Sequence, residues 1–199
     1  MKKIGVFGGT FDPVHNGHIS KAQEALVKLK LDQVLWVVAG DPWMKSSELL
    51  SEAKHRLEMI KISIEGNPRM QLSNMEIKRK GPTYTIDTLK DIQSRNPHDE
   101  LTLLIGSDLI QDFDQWKSPE EIFSLAKLVI FTRTASAEDT QEMVGLYKSK
   151  GHRLEILSGP TIDISSTLIR KTVSRKLSIS EYVPKAVEKY IIENKLYSG

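Results

Sequence analysis

A chain of 199 residues with 39% hydrophobic and 27% charged side chains is long enough for one well-buried core and has the balance of an ordinary globular protein. It has no cysteine, which excludes a disulfide framework and any thiolate metal site and fits a reducing compartment. The net charge of +2 is too slight for the concentrated basic face of a nucleic-acid binder, yet it leaves room for a local positive pocket around a small anion. No run approaches the roughly 20 apolar residues of a membrane span. The apolar run behind Lys2 and Lys3 breaks into glycines too early for a signal peptide. The expectation is one cytoplasmic domain over 1–199, with no nucleic-acid or membrane partner and with homo-oligomerisation left open.

In chain order, the first β-forming run is IGVF at 4–7, followed at once by GGTFDPVHNGH, Gly8 to His18. Gly8 and Gly9 allow a sharp turn and a close approach to a ligand, and the amides at the start of a following helix make an anion site. Ile19, Ala22, Leu26 and Leu29 give that helix, which is expected to begin near His18, its apolar face. VLWVV at 34–38 reads as the second strand, and AGDPWMKSS follows at 39–47. Ala53, Leu57, Ile60 and Ile64 mark another helix. LTLLI at 101–105 is a strand leading into GSDLIQDFDQWK at 106–117. SPEE at 118–121 predicts a helix start, with Ser118 as cap, Pro119 first in the helix and Glu121 closing a capping box. LVIF at 128–131 is a strand, the polar stretch 134–142 a surface loop running into a helix, and LEIL at 154–157 a further strand. ISSTLIR at 164–170 starts a helix with a cluster of hydroxyls and Arg170 one turn after Ser166.

Strands without strict alternation, separated by helices, predict an α/β Rossmann-like fold: a doubly wound parallel sheet with helices on both faces and further helices at the C-terminal end. Ligands in such sheets bind beyond the C-terminal strand ends, where the strand order reverses. Neither common phosphate fingerprint, G-x-G-x-x-G or G-x-x-x-x-G-K-[ST], is present there. What stands in their place is His15 and His18, one turn apart, with Gly17 leaving room between them. Two imidazoles aimed at one phosphate suit a phosphorus centre that gains charge during in-line displacement. Local hydrogen bonding at a helix start is the plainer use of such histidines. A zinc site is the weaker use, because His55, His98 and His152 are scattered.

GGTFDPVHNGH resembles the His-x-Gly-His signature of the nucleotidylyltransferase superfamily, and ISSTLIR resembles its second signature. KGPTYTIDTL at 80–89, GSDLIQDFDQWK, the Thr132–Arg133 pair and YVPKAVEKYIIENKLY at 182–197 are similar to segments of bacterial nicotinate-nucleotide adenylyltransferases. The likeness runs through nearly the whole chain. It implies transfer of the adenylyl group of ATP to nicotinate mononucleotide, giving nicotinate adenine dinucleotide and pyrophosphate, with Mg²⁺ carried on ATP. His15, His18 and Arg170 would then be catalytic. Gly8, Gly9, Thr10, Phe11, His18, Gly106, Asp108, Ile164, Ser165, Ser166, Thr167 and Arg170 would bind ATP, with Asp108 on the ribose.

The same resemblance puts Lys45, Tyr84, Thr85, Trp116, Lys117 and Arg133 around the acceptor, with Trp116 stacked on the pyridine ring. A core aromatic is the alternative for Trp116. Asp12 is read equally as a contact to the metal through water and as a turn-capping spacer. The chain departs from the family at 39–47, where Trp43 and Met44 replace a proline and a histidine of the usual Pro-Pro-His-Lys loop. This Pro-Trp-x-Lys form is similar to that of an actinobacterial branch.

Overall fold

The computed structural model describes residues 1–42, 50–132, 137–158 and 164–198. The elements run β1 (Lys3–Gly9), α1 (Asn16–Lys28), β2 (Gln33–Val38), α2 (Ala53–Ile64), β3 (Met70–Ser73), α3 (Met75–Lys78), α4 (Thr85–Arg95) and β4 (Glu100–Gly106). They continue through α5 (Ser107–Ile110), a 3₁₀ turn (Phe113–Gln115), α6 (Pro119–Leu125), β5 (Ala126–Thr132), α7 (Ala137–Ser149), β6 (Leu154–Ser158), α8 (Ser166–Ser174) and α9 (Lys185–Glu193). The strands form one parallel sheet in the order β3-β2-β1-β4-β5-β6.

Both faces of the sheet are covered. Ile4 and Val6 of β1 join one core with Leu89 and Ile92 of α4, Phe113 and Tyr147. Phe7, on the opposite face, joins Leu26 of α1, Trp36 of β2, Ile60 of α2 and Val187 and Ile191 of α9. That double burial explains why Ile4–Phe7 and Leu101–Ile105 read as apolar runs without strict alternation, with Thr102 the one polar residue among them. The order reverses between β1 and β4, which pair directly, so a crevice opens beyond their C-terminal ends. Gly8 and Gly9 end one of these strands and Gly106 the other, and both histidines follow within one loop.

Four local expectations differ from the structure. The edge strand β3 has no forerunner in the sequence reading, because it is only four residues long and buries one of them, Met70. The helix α1 starts at Asn16, two residues before His18, because His15 acts as its cap. Ser118 does not cap α6: it stands in the left-handed region at φ +53° and makes no side-chain cap bond, while Pro119 does take the first helical turn. Glu121 pairs instead with Lys90 of α4 at 2.7 Å. Much of the polar stretch 134–142 is helical, since α7 begins at Ala137 and carries Glu138 and Asp139 in its first turn, where acids favour the helix dipole. Among the described residues no helix is long and apolar enough to cross a membrane.

Candidate active site

The crevice is a cleft of about 490 Å³ between the ends of β1 and β4 and the starts of α1, α4 and α8. The loop after β1 forms one wall. A Cβ on Gly8 would meet nothing within 4 Å, so this stretch of backbone is open to a ligand. Gly9 is pressed against the Phe11 ring, which a Cβ would approach to 3.0 Å. Phe11 itself adopts φ +50°, is buried, and stands edge-on to Phe7 and His18. Thr10 and Phe11 both line the cleft.

His15 and His18 cap the helix for each other. The His18 amide donates to His15 Nδ1 and the His15 amide donates to His18 Nδ1, each at 3.3 Å. With both Nδ1 atoms accepting, the hydrogen bonding assigns the ring proton to Nε2 in each imidazole. The rings stack at 3.6 Å between centroids and 25° between planes. Gly17 makes this possible, because a Cβ there would lie 3.1 Å from His15 Nδ1. The plain capping use and the ligand-facing use therefore coexist: Nδ1 serves the backbone while both residues line the cleft. Lys21, one turn beyond His18, lines it too. The sequence reading missed this lysine, although its i+3 spacing from His18 was the available signal. Among the described residues no three His, Asp or Glu side chains gather as a metal site.

The second arm is the start of α8. Ser165 caps the helix by accepting from the Leu168 amide at 3.1 Å. Ser166 Oγ donates to Pro13 O at 2.9 Å, and Arg170 Nη1 donates to Asp12 O at 2.8 Å. Arg170 Nη2 also donates to Thr167 Oγ1 at 3.3 Å. Ile164, Ser165, Ser166, Thr167 and Arg170 all line the cleft, so the two motifs, about 150 positions apart in sequence, are joined by direct hydrogen bonds.

Asp12 is 1% exposed, with Oδ2 accepting from the Ser51 amide at 2.9 Å and Oδ1 from the Tyr197 hydroxyl at 2.5 Å. Of the two uses open to it, the anchoring one fits this geometry, because both oxygens are taken inside the protein. Beside it lies Arg56, 3% exposed, which sequence reading also missed. It donates to Ser51 O at 3.0 Å, Thr10 O at 3.1 Å and Ala39 O at 2.7 Å, binding three loops together. Burial pulls its guanidinium below the usual value, and the neighbouring Asp12 charge opposes that shift.

The β4 side carries Gly106 and Asp108. The Asp108 carboxylate folds back so closely that a Cβ on Gly106 would lie 2.3 Å from Oδ1. Trp116, 9% exposed, lines the cleft and also packs on Phe113 at 5.0 Å, with its buried indole N–H left unpaired. It is thus part of the core and of the cleft wall at once. Thr85 opens α4 and faces the cleft. Tyr84 and Lys117 stand beside the cleft and not in its lining: the Lys117 ammonium pairs with Asp87 at 2.9 Å and lies 4.6 Å over the Tyr84 ring. Lys45 and Arg133, with Trp43 and Met44, lie outside the described residues.

Glu76 was not anticipated either. It is buried in the cleft lining beside the end of β2, accepts from Thr88 Oγ1 at 2.6 Å, and burial pushes its carboxyl above the usual value. Gly40 passes so near its main chain that a Cβ would meet Glu76 O at 2.4 Å.

Residues 6–172 match the cytidylyltransferase-like family model. A Synechococcus protein named "Probable nicotinate-nucleotide adenylyltransferase" is 38% identical over 99% of this chain and 95% of its own. A Bacillus pumilus protein of the same name is 34% identical, with 100% of both chains covered. The solved structure of Plasmodium falciparum nicotinic acid mononucleotide adenylyltransferase complexed with NaAD has the same fold, with a TM-score of 0.82 at 23% identity over 99% of this chain and 98% of that one. The match of motifs, full-length identity and fold establishes that this chain belongs to the nicotinate-nucleotide adenylyltransferase family of cytidylyltransferase-like proteins.

Proposed function

We propose that this protein, as one domain over 1–199, transfers the adenylyl group of MgATP to nicotinate mononucleotide. A 5′-phosphate oxygen of the acceptor attacks the α-phosphorus of ATP, the bond from that phosphorus to the β-phosphate bridge breaks, and pyrophosphate leaves. Mg²⁺ enters as part of the substrate, carried on the triphosphate. The observation that carries the reading is the pairing of a two-histidine wall with a Ser-Ser-Thr-Arg wall across one cleft at the sheet's reversal point. The names of the relatives supply the acceptor.

Two anions must meet in this reaction, so the site has to supply positive charge and aligned donors. The starts of α1 and α8 line the cleft and bring the positive ends of two helix dipoles toward the phosphates. His15 and His18 donate from Nε2 to the α-phosphate as its charge grows, and Arg170 holds the leaving phosphates. Lys21 adds a cation to the same wall. Gly8, Gly9, Thr10 and Phe11 carry the nucleotide along β1. Gly106 and Asp108 meet the ribose, and Ile164 through Thr167 meet the triphosphate. Holding donor and acceptor in line can contribute about 7–11 kcal/mol of barrier reduction in well-oriented systems. Trp116 offers an indole face to the pyridine ring, while donors around Tyr84–Thr85 and Trp116–Lys117 read its carboxylate. We assign Lys45 and Arg133 to the acceptor phosphate.

The test is pyrophosphate release from MgATP with nicotinate mononucleotide, nicotinamide mononucleotide and phosphopantetheine as acceptors. Buried donors that match a carboxylate and mismatch a carboxamide should favour the acid by about a hundredfold or more in kcat/KM. Equal use of acid and amide would overturn the acceptor assignment. Release with none of the three, from a protein that binds ATP, would overturn catalysis.

A further inference from the structure

Asp12 joins distant parts of the site through both its peptide and its carboxylate. Its Oδ1 accepts from Tyr197, its Oδ2 from the Ser51 amide, and its main-chain oxygen from Arg170. The next residue, Pro13, accepts from Ser166. Chain segments as far apart as 12 and 197 therefore meet at one turn, two residues before His15. The same late segment touches the histidine arm again: the first amide of α1, at Asn16, donates to Tyr182 O at 2.8 Å, and Asn16 Nδ2 donates to Glu181 O at 3.1 Å.

We propose that Tyr197 is a positioning residue, whose hydroxyl sets, through the Asp12 carboxylate, the placement of the His15–His18 pair relative to Arg170. This rests on the adenylyl-transfer reading. A carboxylate at 1% exposure has to be satisfied inside the protein, and among the described residues the phenol and the Ser51 amide do so. Its removal leaves an ionised oxygen unpaired where water has little access. The turn can relieve that cost only by moving, and the turn carries both the Arg170 acceptor and the histidine helix start. Tyr197 is fixed in turn: it adopts φ +60°, and burial beside Asp12 pushes its phenol well above the ordinary value, so it stays a protonated donor throughout the neutral range. A displacement of about 1 Å at such a site is worth about a hundredfold in rate, and the fold limits how far the turn can shift.

Tyr197→Phe keeps the ring and removes only the donor. Its kcat, per folded enzyme, should fall about tenfold, while the KM values for MgATP and nicotinate mononucleotide stay within about threefold. Tyr190→Phe is the structural control, since it deletes a hydroxyl of the same late segment that bonds His55 Nδ1 at 2.9 Å, away from the cleft. It should lower the melting temperature and leave kcat unchanged. Asp12→Asn should also lower kcat, and the double variant with Tyr197→Phe should be no slower than Asp12→Asn alone, because the two groups act as a unit. Equal loss of kcat in Tyr197→Phe and Tyr190→Phe, an unchanged kcat in Tyr197→Phe, or additive losses with Asp12→Asn would each overturn the proposal. The wild type measured alongside tests the reaction itself, since its failure to release pyrophosphate would fault that reading and not the role of Tyr197.

Discussion

Gly17→Ala puts a methyl group where His15 now lies. The new Cβ would stand 3.1 Å from Nδ1 and 3.2 Å from Cε1 of that ring, against about 3.5–4.0 Å for a relaxed contact, so the imidazole has to retreat by a few tenths of an ångström. Nδ1 is also the acceptor for the His18 amide at an already long 3.3 Å, and the retreat breaks this cap and the 3.6 Å stack with His18. Stability hardly registers the change. Alanine gains up to about 1 kcal/mol over glycine within a helix. The lost cap costs about 1 kcal/mol, and an off-rotamer ring about 0.5–1.5 kcal/mol. The net is a loss of about 1 kcal/mol, or roughly 2–4 °C in a chain of this size. Activity registers it strongly. Deleting one transition-state donor outright, as in His18→Ala, costs about 10²–10³ in kcat, and a misaimed donor keeps part of that, so about 10- to 100-fold is expected. Pyrophosphate release at saturating MgATP and acceptor, with calorimetry on the same sample, measures both quantities. An unchanged kcat beside a near-native melting temperature would refute the claim that the placement of His15 matters to turnover.

Trp116→Ala should raise the acceptor KM tenfold or more and leave that for ATP nearly unchanged, since stacking on an aromatic base is worth about 1–3 kcal/mol. Because the indole also packs on Phe113, the variant should lose about 3–5 kcal/mol of stability, and a folded variant with an unaltered acceptor KM would return Trp116 to the core alone. Glu76→Gln keeps an oxygen to accept from Thr88 but cannot ionise. Burial raises the Glu76 carboxyl in the folded state, so the folded protein binds the extra proton and the wild type loses stability as pH rises from about 4.5 through the raised value. Melting temperatures across pH 4–8 should show the variant gaining on the wild type over that rise, and a variant that instead loses ground to the wild type would refute the sign.

Much of this protein is written in local patterns. The runs at 4–7, 34–38, 101–105, 128–131 and 154–157 became strands because residues of a sheet buried on both faces are predominantly apolar, a property of short segments. GGTFDPVHNGH and ISSTLIR were legible for the same reason: each sets backbone turn, helix start and polar side chains within eleven residues or fewer. What depended on partners from elsewhere in the chain was not legible. Met70–Ser73 is a strand only because β2 offers it an edge. Arg56 sits in the middle of an apolar helical stripe, and only the carbonyls of Thr10, Ala39 and Ser51 make its burial affordable. Asp12 could be read as a metal contact or as a spacer until Ser51 and Tyr197 were seen to take its two oxygens. The sequence by itself determined five of the six described strands, the two motifs and the chemistry they suggest, because those rest on local composition, periodicity and spacing. The tertiary structure alone decided the strand order, the bonds that lock one motif to the other and the partners of the buried charges, because each of these joins groups that no local pattern brings together.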